Sequence, residues 1–94
     1  MKVMSKRKVS QQGAYTVYEA LDQYGTLLYR LHYSYKEIIA IEDHTTVPTP
    51  TTLIAKNEWS VTTAKHINLV SRDKDIRVPQ GLILQYLEDS GVSV

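Results

Sequence analysis

Apolar and polar residues alternate through "TLLYRLHYSY" (residues 26–35), and a period of two is the mark of a half-buried strand. Leu27, Tyr29, Leu31, Tyr33 and Tyr35 fall on one face, and Thr26, Leu28, Arg30, His32 and Ser34 on the other. Residues 15–21 are also strand-like, and the intervening "DQYG" (residues 22–25) carries the Asp and Gly of a tight turn. Pairing Leu21 with Leu27 predicts Val17 opposite Leu31 and Tyr15 opposite Tyr33, with Tyr18 beside Arg30 and Thr16 beside His32. "EIIAIED" (residues 37–43) is more continuously apolar, which predicts a central third strand. "HTTVPTP" breaks it with two prolines and three threonines, a loop. "TTLIAKN" (residues 51–57) predicts a fourth strand.

After Trp59 the period lengthens. Thr62 or Thr63 is suited to cap a helix, its hydroxyl accepting from a free backbone N–H of the first turn. Ala64, Ile67 and Val70 then lie near one face, with the helix ending by Ser71 or Arg72. "IRV" (residues 76–78) predicts a short fifth strand, and Pro79 suits the start of a second helix. Leu82, Ile83, Tyr86 and Leu87 make a one-sided apolar stripe, and Gly91 a C-terminal cap. Strands come first and helices after. The order predicts an α+β domain: an antiparallel sheet of four to five strands followed by two helices packed on one face. Residues 13–94 form this single domain. Residues 1–12 lack periodicity and read as a basic N-terminal arm, able to add an edge strand through Val3 and Val9.

Composition changes the picture in three ways. The 94 residues contain no cysteine, which excludes a disulfide framework, a thiolate zinc site and cysteine catalysis. No apolar run approaches the ~20 residues of a membrane span. The N-terminus lacks the apolar stretch of a secretory signal, so the expectation is an intracellular protein with no membrane contact. The net charge of +1 hides an asymmetry, because Lys2, Lys6, Arg7 and Lys8 are four of the eleven basic residues. A basic arm on a slightly acidic body can contact phosphates, or can simply remain a solvated tail. Seven tyrosines, one tryptophan and no phenylalanine suit half-buried sheet faces, interfaces and stacking on bases.

"NEWSVTTAKHINLV" (residues 57–70) places Lys65 and His66 in an early helical turn. Cations there cost about 0.3–1 kcal/mol against the helix dipole. An anion on the free N–H groups would offset that cost, which makes Thr62, Thr63, Lys65 and His66 a candidate anion- or phosphate-binding group. The simpler alternative has a threonine capping the helix, Trp59 and Ile67 entering the core, and Lys65 extending into water. Thr62 and Lys65 match a [ST]-x-x-K spacing without the companion motifs of serine hydrolases. His32, His44 and His66 show neither an i, i+4 pair nor HExxH. Glu42 and Asp43 are strand neighbours and point to opposite faces. The expectation is a non-enzymatic protein with no catalytic residues, metal site or cofactor.

"WSVTTAKHIN" (residues 59–68) resembles a motif of a family of small, uncharacterised proteins encoded by bacteriophages and related mobile elements. There an aromatic residue and a serine precede two threonines, a small residue, Lys and His. "YSYKEIIAIED" (residues 33–43) is similar to the family's matching upstream segment. The resemblance runs in order over roughly residues 27–90 and is carried by Ser60, Thr62, Thr63, Lys65 and His66. A proline-rich loop at residues 44–51 stands where the family has a short polar turn. The resemblance implies a viral or mobile-element accessory protein that meets nucleic acid or a host nucleic-acid-processing protein, with anti-defence activity as one form. Lys2, Lys6, Arg7 and Lys8 are its expected nucleic-acid contacts, with Lys65 and His66 adding a second point. The competing expectation is a homo-oligomeric structural or assembly protein, such as a homodimer, because a small core without staples leaves strand edges to pair.

Overall fold

In the computed structural model, which describes residues 3–92, strands adjacent in sequence are adjacent in space. β1 (Ser5–Gln12), β2 (Tyr15–Leu21), β3 (Leu27–Ser34), β4 (Glu37–Asp43) and β5 (Thr51–Ala55) form an antiparallel meander. α1 (Val61–Val70) and a 3-10 turn (Lys74–Ile76) carry the chain to β6 (Arg77–Val78), which lies parallel to β5. α2 (Gln80–Asp89) closes the fold. The α+β class is as expected, but the sheet has six strands rather than four to five. The additional strand is β1. Residues 5–12 of the expected arm pair with β2 along their length, although every side chain in β1 is exposed. No side chain of this strand is buried, so it has no burial period to read.

Three one-residue shifts set the register. Leu21 faces Leu27 as expected, but Leu28 is an extra residue in β3, so Ala20 faces Tyr29. Beyond that bulge Val17 lies opposite His32, Tyr15 opposite Ser34, Tyr18 opposite Leu31 and Thr16 opposite Tyr33. The expected hairpin pairing is therefore wrong past its first rung, because one inserted residue carries every later side chain to the other face. Ile39 is the extra residue of β4 and Val9 that of β1.

Both faces of β4 are covered, which is why Ile38, Ile39, Ala40 and Ile41 are all buried. Leu31, Ile41 and Ala55 pack with Ile83 and Leu87 of α2. Ile39, Ala40 and Ile54 pack with Ile67 of α1. Ala40 and Ile41 are strand neighbours and point oppositely, so the two helices lie on opposite faces and not together on one. The cause is the parallel β5–α1–β6 crossover. It seats α1 on one side, and the chain leaving the two-residue β6 turns to the other.

α2 starts after Pro79 and ends as expected on Gly91, whose φ of 74° a side chain would strain. The Val92 N–H reaches back to the Leu87 carbonyl (2.9 Å) and the Gly91 N–H to that of Glu88 (3.0 Å), a Schellman cap. Val92 and Leu87 share the α2-side core. Of the expected stripe, Ile83 and Leu87 are buried and each contributes about 1.5–3 kcal/mol. Tyr86 is half-buried, its hydroxyl donating to Asp43, while Leu82 points to solvent.

Candidate nucleic-acid interface

On the α2 side, the helix packs over β4 and β5. Strands β1 to β3 carry that face outward past the helix. Two cross-strand rows define it: Lys8–Tyr18–Leu31 and Gln11–Thr16–Tyr33, each residue facing the next across the ladder. Tyr18 and Tyr33 meet edge to face, with ring centroids 5.6 Å apart and planes at 85°. Burial raises the Tyr33 phenol above its ordinary value, and Tyr18 adds to the shift, so it stays neutral near pH 7. Tyr35 sits in the β3–β4 turn with a left-handed φ of 56° and is 61% exposed, its ring centroid 6.3 Å from that of His66 in α1. Lys6, Thr16, Tyr18, Tyr33, Tyr35 and Lys36 line a cavity of about 390 Å³. Two lysines beside three tyrosine rings can hold phosphates and stack bases.

The sequence-predicted cations divide between the two faces. Lys6 lines this cavity, and Lys8 lies on the same face, its Nζ donating to Gln11 Oε1 at 2.9 Å. Arg7 is on the opposite face, where its Nε and Nη2 both donate to Glu19 Oε1 (3.2 and 2.9 Å). Lys2 lies outside the described residues. Lys36 and Tyr35, which the sequence reading did not single out for binding, complete the cavity.

The expected anion site does not assemble. The helix cap is Ser60, not Thr62 or Thr63, and the Thr63 N–H donates to Ser60 Oγ at 3.1 Å. With the helix beginning at Val61, Thr63 and His66 share its buried side, and Thr62 and Lys65 face solvent. Thr63 Oγ1 is 3.0 Å from Ser34 Oγ, which is 2.6 Å from His66 Nδ1. The motif's hydroxyls and imidazole therefore bind one another and fasten α1 to the end of β3. Among the described residues, no cluster of three or more histidines and carboxylates could hold a metal ion.

The α1 side carries a second constellation, invisible until the register is known. Arg7, Glu19, Arg30 and Glu42 form one row across four strands. Arg30 donates to Glu19 Oε2 (3.0 Å) and Glu42 Oε1 (3.3 Å). His32 Nε2 donates to Glu42 Oε2 at 2.7 Å, so its Nδ1 accepts from the Tyr15 hydroxyl, also at 2.7 Å. Burial lowers the His32 pKa more than Glu42 raises it, leaving the imidazole neutral. The Tyr15 phenol is pushed up by burial and then by the Glu42 carboxylate, the opposite of an activated nucleophile. Its ring stacks against His32 and His66, at 6.0 and 5.6 Å between centroids. This relay orients Tyr15 and ties β2, β3 and β4 to α1.

Among the described residues no helix is long and apolar enough to cross a membrane. In comparisons with known proteins, the chain matches no protein family, no curated protein and no solved structure.

Proposed function

We propose that this protein binds single-stranded nucleic acid on the α2-side face of β1–β3, at the end lined by Tyr18, Tyr33 and Tyr35, and works as a binding module. The observation that carries the reading is the cavity on that face, where Tyr18, Tyr33 and Tyr35 stand beside Lys6 and Lys36. An unpaired base can lie against the accessible ring surface of the cavity, while the bases of a duplex stay stacked and out of reach. The motif resemblance at Ser60–His66 is the ground for placing such a module among phage and mobile-element accessory proteins.

Fluorescence anisotropy with labelled single- and double-stranded oligonucleotides across a salt series tests the proposal. Single strands should bind more tightly, with a log–log salt slope that falls by roughly 0.7 in Lys36→Ala. Tyr35→Ala should cost about 1–3 kcal/mol of binding, one stacked base, and Lys65→Ala should change nothing. No binding at low salt, or binding indifferent to salt, overturns the reading.

A second reading rests on β1. Its outer edge has no strand partner among the described residues, and it offers eight exposed residues without a proline. Pairing of this edge with a second copy would make a homodimer. Its lysines and the bulge at Val9 work against such pairing. Light scattering decides it: a monomer at high micromolar concentration removes this reading.

A further inference from the structure

A smaller cavity of about 190 Å³ adjoins the first, sharing Tyr33 and Lys36 and adding Glu37, Ile38, Gln80 and Leu84. Its polar wall has a defined polarity. Gln80 Nε2 donates to Glu37 Oε2 at 2.8 Å and to the Ile38 carbonyl at 3.2 Å. Both partners accept only, so the amide nitrogen must face them. Gln80 Oε1 and Glu37 Oε1 are what remain for a ligand, and both are acceptors. Ile38 and Leu84 make the rest of the wall apolar.

A planar ring lying on Leu84 and Ile38 would have to present hydrogen-bond donors to this wall. Cytosine N4, adenine N6 and guanine N2 do so, and carboxylate or amide acceptors on such amino groups are established modes of base reading. Thymine and uracil offer only the ring N3–H, flanked on both sides by carbonyl oxygens that the same acceptors repel, so they fit this wall less well than an amino group does. Lys36 belongs to both cavities, where the phosphate joining two successive nucleotides would lie.

We infer that the Glu37–Gln80 cavity is a specificity pocket that admits a base with an exocyclic amino group, next to the nucleotide stacked among the tyrosines. This rests on the single-strand reading above and adds a sequence preference to it. Cytosine and thymine are alike in size and stacking, so oligo-dC and oligo-dT of equal length make the cleanest comparison.

Wild-type protein should bind oligo-dC about tenfold more tightly than oligo-dT, the value of one polar base contact. Glu37 is exposed, so Glu37→Ala should fold normally. It should bring the two affinities together by weakening oligo-dC while leaving oligo-dT unchanged or slightly stronger. Equal affinities in the wild type overturn the pocket but leave single-strand binding standing. A parallel rise for both oligomers in Glu37→Ala, with the ratio kept, shows only a removed charge and overturns it too. Binding of neither oligomer at low salt overturns the pocket together with the reading beneath it.

Discussion

Replacing Arg30 with methionine isolates the charge row on the α1-side face. Arg30 bridges Glu19 (3.0 Å) and Glu42 (3.3 Å), and their side chains are 34%, 11% and 22% exposed. Exposed ion pairs contribute about 0–1 kcal/mol, whereas stripping the partner from a buried charge costs about 3–5 kcal/mol. Arg30 lies between these limits. Its loss leaves Glu19 with the mostly exposed Arg7 and Glu42 with His32 and His44. We expect a loss of about 2 kcal/mol, out of the ~5–15 kcal/mol typical of a folded domain. The melting temperature should fall by about 8–16 °C.

Urea unfolding followed by circular dichroism should show a lower midpoint with an unchanged slope. The acid limb gives a second readout. Hydrogen bonds from Arg30 and then Arg7 hold the Glu19 carboxyl below the usual carboxylate range. A depressed carboxylate contributes stability that is present above its unfolded pKa and is lost as pH falls through its folded one. Without Arg30 the folded pKa rises, so acid unfolding should begin at higher pH. Adding Glu19→Gln to Arg30→Met should cost less than the two single changes summed, since Glu19 is then no longer a stranded carboxylate. A loss below about 0.5 kcal/mol with an unmoved acid midpoint would refute the assignment of this row as a coupled, partly buried network.

Ser34→Ala removes the hydroxyl shared by Thr63 and His66, stranding the buried His66 Nδ1 while Thr63 Oγ1 keeps Ser60 Oγ, so thermal melts should report a loss of about 1–3 kcal/mol. His32 is held below its ordinary pKa by burial, so the unfolded chain takes up its proton first as pH falls through about 6.5. Stability should therefore be complete above that value and decline below it, and urea titrations on either side should show a shallower decline in His32→Gln. The Tyr86 phenol is pushed up to about 12, by burial first and then by its bond to Asp43. Its contribution is present below about pH 10 and lost as pH rises toward its folded value, and alkaline melts of Tyr86→Phe should lack that loss.

The alternation in β3 and the apolar run of β4 could be read directly, because a strand with a dry side repeats every second residue. The ends of α2 were equally plain from Pro79 and Gly91. What escaped had no local signature. β1 was expected only as an edge strand that the arm could add through Val3 and Val9; it buries nothing, and Val9 proves to be its bulge. Leu28 looks like any other apolar strand residue, yet as a bulge it moves Tyr15 beside Ser34 and Val17 beside His32. The Arg7–Glu19–Arg30–Glu42 row is therefore absent from any reading that keeps the simple hairpin. Ser60, Thr62 and Thr63 are all competent caps, and only packing of Thr63 and His66 against Ser34 selects the first. The tyrosine content did point to a sheet face, but Tyr35 and Lys36 gain meaning only where the β3–β4 turn brings them beside Tyr18 and Lys6.

The position of α2 at the end of the fold bears on how the molecule is made. During synthesis the strands that form the meander emerge first, and each can zip onto its predecessor through a short connection. Leu31, Ile41 and Ala55 then form an apolar stripe whose cover, Ile83, Leu87 and Val92, has yet to leave the ribosome. A chain cut just before Gln80 would keep a hydrogen-bonded sheet with a bare greasy side. Such a product should cling to chaperones or precipitate rather than persist as a smaller soluble domain, which makes the docking of α2 the step that converts a paired sheet into one with a covered core.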